Sequence, residues 1–298
     1  MGTRVLALKT KGEWLAARAG GIGASDAAAV LGASPWKSPF KLFCEKIGLV
    51  NASAEETEAM EWGNLLEPLI AEKYERETQR SLIDHGRFTL HVNDARPFLF
   101  ATLDREILQR EQRSTPGVLE IKTTGIFHAE EWAEEPPLVY QIQLQHQMAV
   151  MGWAWGSLAV LIGGQRFLWT DIERNDRFIA ILLEREEEFW ARIQRLDPPA
   201  PDATSKDLLG KLYPKDDGAS ASLPPEAVEW DARLVEAKAQ LTHWTMVKDD
   251  AESLLKGSIG EATYGVLVNG TRYSWKASDR KGYTVEPSTV RSLRRLKS

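Results

Sequence analysis

The chain has 298 residues, 43% of them hydrophobic and 27% charged, with eleven tryptophans and a formal net charge of −6. That length and apolar content suffice for one elaborated domain or a domain plus an appendage, and the acidic balance argues against a general nucleic-acid-binding coat while leaving room for a local basic track. Cys44 is the single cysteine, which excludes a disulfide framework or a cysteine-held cluster within one chain; with no signal pattern and no apolar run of membrane-spanning length, a soluble, cytoplasmic protein is expected.

In chain order, a helix is expected over Lys11–Ala19, then the turn Gly20-Gly21-Ile22-Gly23-Ala24-Ser25-Asp26. Ser25 or Asp26 is the natural N-cap of a helix Ala27–Leu31, and Pro39 starts another, Phe40–Ile47, that ends at Gly48. A glycine-rich turn capped by Ser offers several backbone N–H groups to an anion, and Arg18 just upstream can add a charged fork for a phosphate. Residues 55–80 form a long helical pattern carrying Met60, Trp62, Leu65, Leu66, Leu69, Ile70 and Tyr74 on its apolar positions. Glu67 sits among them, either snorkelling to the rim of the core or serving a site.

A strand near Arg87–Val92 leads into two further ones. Pro97–Leu103 reads as a short apolar strand that ends on Asp104; Gly117–Lys122 alternates Val118, Glu120 and Lys122 on one face with Leu119 and Ile121 on the other. Between them, the polar stretch from Gln109 to Thr115 reads as a hairpin loop. After Pro136-Pro137 comes a helix, Tyr140–Val150, in which four glutamines alternate with apolar residues. Tyr140, Gln143, Gln147 and Met151 share one helical stripe; Gln141, Leu144, Gln145 and Met148 share another. Strands Gly156–Ile162 and Arg166–Asp171 form a hairpin across Gly163-Gly164, followed by an amphipathic helix Asp176–Arg195. The core domain is expected to close at residue 197. A linker over 198–225, rich in Pro, Asp, Ser and Ala, then leads to a C-terminal part, 226–298, with a long helix, a hairpin across Asn269-Gly270, and a basic tail containing Arg291, Arg294, Arg295 and Lys297.

Two carboxylates and an ammonium on paired strands are what metal-assisted phosphodiester hydrolysis requires. If the strands ending at Asp104 and carrying Glu120 and Lys122 pair, the acids can hold a hard divalent cation, while the lysine orients or activates water and offsets phosphate charge. Glu-x-Lys alone is more often a solvated strand face, so the weight rests on its company, Glu67 and the glutamine-rich helix. Other catalytic patterns are absent: no CxxC pair, HExxH or Walker-type segment occurs, and the five histidines are scattered.

As a set, Gly23-Ala24-Ser25-Asp26, Trp62-Gly63-Asn64-Leu65-Leu66-Glu67-Pro68, Ala101-Thr102-Leu103-Asp104, Leu119-Glu120-Ile121-Lys122 and Tyr140-Gln141-Ile142-Gln143-Leu144-Gln145 resemble the motifs of the YqaJ-like viral recombinase family. This is the lambda-exonuclease branch of the PD-(D/E)XK nuclease superfamily. The resemblance covers roughly residues 10–195 and departs at Leu103, where the superfamily name expects proline.

The resemblance implies an α/β fold, a mixed sheet flanked by helices in a restriction-endonuclease-like core, with a helical C-terminal extension. By matched position, Asp104 and Glu120 would ligate a first Mg²⁺ with the carbonyl of Ile121, and Glu67 would help a second; Mn²⁺ would substitute. Lys122 would position or deprotonate water, Gln143 would lie near the reacting phosphate, Arg18 and Ser25 would hold a 5′-terminal phosphate, and Tyr140 would contact DNA. The implied activity is 5′-to-3′ degradation of one strand of linear duplex DNA, leaving a 3′ overhang for a single-strand annealing protein. Some members of the family form a ring of three subunits around the DNA, so the resemblance also implies a homo-oligomer of that kind. An endonuclease of the same fold, or a nuclease-dead DNA-binding accessory protein, are the alternatives.

Overall fold

A computed structural model describes residues 2–50, 57–108, 113, 115–282, 284 and 291–296. The expected loop at Gln109–Thr115 falls largely outside these residues, as does Lys297. The chain divides into two compact units, residues 1–213 and 214–298.

Among the described residues, the first unit contains two sheets rather than one. Strands β1 (Thr3–Ala7), β2 (Ile22–Gly23), β4 (Thr89–Asn93) and β5 (Leu99–Ala101) form a four-stranded sheet in the order β1-β4-β5-β2. Strands β3 (Leu82–Ile83), β6 (Arg105–Ile107), β7 (Gly117–Thr124), β8 (Trp155–Ile162) and β9 (Arg166–Glu173) form a five-stranded sheet in that order. Both are mixed, with β2 parallel to β5, β7 parallel to β8, and the remaining pairs antiparallel. The pairing set as a condition from the sequence, between the apolar strand that ends before Asp104 and the strand carrying Glu120, does not form. The apolar strand pairs with β4. The antiparallel partner of β7 is the strand that begins one residue after Asp104, with Arg105 opposite Leu119. Asp104 sits where the chain steps from one sheet to the other.

The parallel pair β7–β8 needs a crossover, supplied by helix α5 (Leu138–Met151). Alternation along β7 sorts its neighbours. Val118 faces a core that includes Leu144, Met148 and Phe189. Leu119 and Ile121 face the opposite way, onto Ile70 and Tyr74 of helix α4 (Glu58–Thr78). Glu120 and Lys122 thus share the α5 side of the strand. Gly117, at the start of β7, lies under the Trp155 indole; a Cβ there would fall 2.6 Å from the ring.

Helices α1 (Lys11–Ala19), α2 (Ala24–Val30), α3 (Pro39–Lys46) and α6 (Asp176–Arg195) complete this layer, and α6 follows the expected bounds. Its Glu186 is fully buried against His146 of α5, with Oε1 2.6 Å from Nδ1, while Nε2 of the same ring lies 3.1 Å from the carbonyl of Phe100. One ion pair thereby ties α6, α5 and β5 together. The hairpin β8–β9 turns at Gly163 and Gly164, both at positive φ (59° and 73°), where a side chain would be strained.

Three further expectations are corrected. Helix α2 begins at Ala24 with Gly23 as its N-cap, so neither Ser25 nor Asp26 caps it from outside; both lie in its first turn. The core does not close at residue 197: helix α7 (Lys206–Leu212) packs Leu208, Leu209 and Leu212 against the main core, within the stretch read as linker. On α4 only Ile70, Ala71 and Tyr74 are buried, whereas Met60, Trp62, Leu65 and Leu69 are exposed. The apolar positions of that helix cover more of its circumference than one sheet face can bury.

The second unit contains the 33-residue helix α8 (Ala227–Ile259), with no buried residue, and the hairpin β10 (Tyr264–Val266) and β11 (Arg272–Ser274). Arg295 forms a forked ion pair with Asp231 of α8. Among the described residues no helix is long and apolar enough to cross a membrane.

Candidate active site

Near the middle of β7, Glu120 is 2% exposed and accepts from three side-chain donors. Its Oε1 accepts from Lys122 Nζ at 2.5 Å and from Gln143 Nε2, and its Oε2 accepts from Gln147 Nε2 at 2.7 Å. Gln143 and Gln147 lie one turn apart on α5, so a single helical stripe presents both amides to one carboxylate. Gln147 also reaches the carbonyl of Thr102, 3.2 Å away, and so links α5 to the segment that delivers Asp104. The other glutamine stripe is structural: Gln141 donates to the Pro136 carbonyl and Gln145 to that of Glu173.

Asp104 accepts the backbone N–H of Ile121 through Oδ2, 2.7 Å away. Burial pushes its carboxyl well above the ordinary aspartate range; Glu120 and Glu67 raise it further, and Lys122 only partly opposes them. Burial works to lower the pKa of Lys122, but Glu120 and Asp104 outweigh it and the ammonium is held above its usual value. The Lys122 ammonium also lies 5.1 Å from the ring centre of Tyr140, which stacks on Trp132 at 5.4 Å. Glu67 comes from α4 and is held by the guanidinium of Arg105, 2.6 Å away. Arg105 is itself buried and also donates to the carbonyl of Asp104.

The second cluster lies at the α1–α2 junction. Arg18 donates to Ser25 Oγ at 2.6 Å and stacks over Trp14, its guanidinium carbon 4.5 Å from the ring centre. Gly21 and Gly23 permit this close packing, since a Cβ on Gly21 would meet the Phe98 carbonyl at 2.3 Å and one on Gly23 would crowd Arg18 and Phe100. Both clusters line one cleft of about 960 Å³.

All the residues singled out in the sequence line this cleft: Glu67, Asp104, Glu120, Ile121, Lys122 and Gln143 together, with Arg18, Ser25 and Tyr140. Sequence reasoning missed three participants. Gln147 was visible as a stripe-mate of Gln143, but nothing local separated it from Gln145. Arg105 and Asp26 carried no such signal, because their partners lie 38 and 20 residues away.

The donor set is all oxygen, as Mg²⁺ prefers. Clustered acids with too little positive charge around Asp104 are what a divalent cation relieves, so these residues fit one. Among the described residues, however, no three acidic, imidazole or thiolate groups converge into a finished cage. Glu67 in particular is engaged by Arg105.

Mixed sheets flanked by helices, with Asp104 and Glu120-Ile121-Lys122 brought to one cleft, define the class as the PD-(D/E)XK nuclease fold. The YqaJ-like viral recombinase domain matches residues 13–154. The uncharacterized protein YqaJ of Bacillus subtilis (strain 168) is 32% identical over 273 residues, 87% of this chain and 82% of that protein. The chain belongs to the YqaJ-like viral recombinase family. It is also similar to the crystal structure of an alkaline exonuclease, LHK-Exo from Laribacter hongkongensis, with TM-score 0.52, 25% identity, and coverage of 68% of this chain and 100% of that one. The same figures hold for LHK-Exo in complex with dAMP.

Proposed function

We propose that this protein is a Mg²⁺-dependent exodeoxyribonuclease that degrades one strand of linear duplex DNA from its 5′ end. The observation that carries this reading is the shared cleft, with the carboxylate–lysine–glutamine cluster at one part of its wall and the Arg18–Ser25 pair at another. Asp104, Glu120 and the Ile121 carbonyl would hold one Mg²⁺, and Glu67, once released by Arg105, would help a second. The bound metal supplies Lewis-acid stabilisation of the scissile phosphate and a more acidic attacking water. Lys122, as a protonated donor, orients that water and offsets negative charge on the phosphate. Gln143 and Gln147 fix the orientation of Glu120 in the wall of the cleft. Arg18 and Ser25 bind the terminal phosphate of the 5′ end, and Tyr140 contacts the strand nearby.

The product, a duplex with a 3′ single strand, is the substrate of a single-strand annealing protein, which we place as the functional partner. A ring of three subunits around the duplex would suit processive digestion.

Polarity and end dependence are tested together with linear duplex labelled at either end and with covalently closed circles. Early loss of the 5′ label, retention of the 3′ label and intact circles are expected. Cutting of circles would replace this reading by an endonuclease of the same fold.

A further inference from the structure

We propose that Asp26 is a positioning residue that sets the cations of the terminal-phosphate pocket and thereby its preference for a phosphate monoester at a 5′ end. The inference rests on the role given above to Arg18 and Ser25. Asp26 is 3% exposed. Its Oδ2 accepts from Lys46 Nζ at 2.8 Å and lies 4.0 Å from Arg18 Nη2; its Oδ1 lies 3.7 Å from Lys37 Nζ. The Gly23 N–H, 3.4 Å from Oδ2, fixes the side chain from behind. These cations hold the carboxyl far below the usual aspartate range, against its burial.

The charge count is what points to a ligand. One buried carboxylate needs one cation, yet three converge on it. Glu45 takes part of the surplus through Lys37, 2.6 Å away. Three cations against two carboxylates leave one positive charge on the wall of the cleft that also holds Ser25. Asp26 carries the ligand's own sign, so it acts through its neighbours rather than by touching phosphate. Lys46 shows how: it donates both to Asp26 and to the carbonyl of Arg18, 2.9 Å away, and so fastens the backbone of the residue that presents the guanidinium to Ser25. Without the carboxylate, the three cations repel one another and Arg18 loses its anchor.

The test compares initial rates on one linear duplex bearing either a 5′-phosphate or a 5′-hydroxyl. Wild type, Asp26→Glu, Asp26→Asn and the charge-balanced double variant Asp26→Asn/Lys46→Gln are each assayed with Mg²⁺. Wild type is expected to prefer the phosphorylated end. Asp26→Asn should cut that preference at least about tenfold, the scale of one charge-assisted hydrogen bond, and Asp26→Glu should restore part of it. The double variant loses one charge of each sign and so keeps the buried balance if Asp26→Asn does not fold; its preference should fall as well. A role confined to packing would lower both rates together, and an unchanged ratio in the folded variants overturns the inference while leaving the terminal-phosphate reading intact. A wild-type ratio of one overturns that reading, and this inference with it.

Discussion

Lys122→Met is expected to lower turnover on linear duplex DNA by about 100- to 10,000-fold while the melting temperature stays within a few degrees of wild type. Lys122 is the cation that lies directly on Glu120, and Glu120 and Asp104 each add to the charge that holds its pKa up. Methionine keeps an unbranched apolar side chain of similar length and removes the ammonium, which lies 5.1 Å from the ring centre of Tyr140. Glu120 keeps both amide donors, Gln143 and Gln147, so the strand and helix remain joined. What is lost is the group that orients water and offsets phosphate charge. Single-turnover rates on end-labelled duplex, with a thermal melt of the same preparation, check both halves. A rate within threefold of wild type would remove Lys122 from the chemistry.

His146→Leu tests the frame rather than the chemistry, and should destabilise the protein by about 3–5 kcal/mol, because it strands Glu186 in the core without a partner. Burial opposes the charge on His146, but Glu186 and the Phe100 carbonyl outweigh it, so the imidazolium persists above the usual histidine pKa. A folded-state pKa above the unfolded one means that protonation favours the native state. The contribution is complete below about pH 6.5 and is lost as pH rises through the folded-state value. Urea denaturation of wild type and of the double variant His146→Leu/Glu186→Leu, which leaves no stranded carboxylate, should show the stability difference shrinking as pH rises across this range. A difference that grows with pH would contradict the assignment.

Much of the frame was legible because its signals are local. Helix α6 follows from an unbroken 3.6-residue apolar pattern, and the β8–β9 hairpin from Gly163-Gly164, which tolerate positive φ. Glu120 and Lys122 fall on one face because a strand alternates. What stayed hidden depends on distant pairing. Strands β2 and β3 are two residues long and exist only because β5 and β6 receive them. The break between the sheets at Asp104 could not be read from a continuous apolar run ending on a carboxylate. Asp26 looked like a capping residue because Ser and Asp before an apolar run usually are; its actual partners are Lys37, from the segment just before α3, and Lys46, the last residue of α3. Of the four glutamines, sequence alone placed two on each stripe, and only the packing of α5 against β7 shows which pair meets Glu120.

The central claim is that this cleft hydrolyses DNA only when its carboxylates hold a divalent cation. Its most direct test is a timed digest of 5′-phosphorylated linear duplex by the wild-type protein in Mg²⁺ and, in parallel, in excess chelator. Release of mononucleotides in Mg²⁺ and none in chelator is the predicted result. Equal release in both, or none in Mg²⁺ from a protein that still binds the duplex, would contradict it.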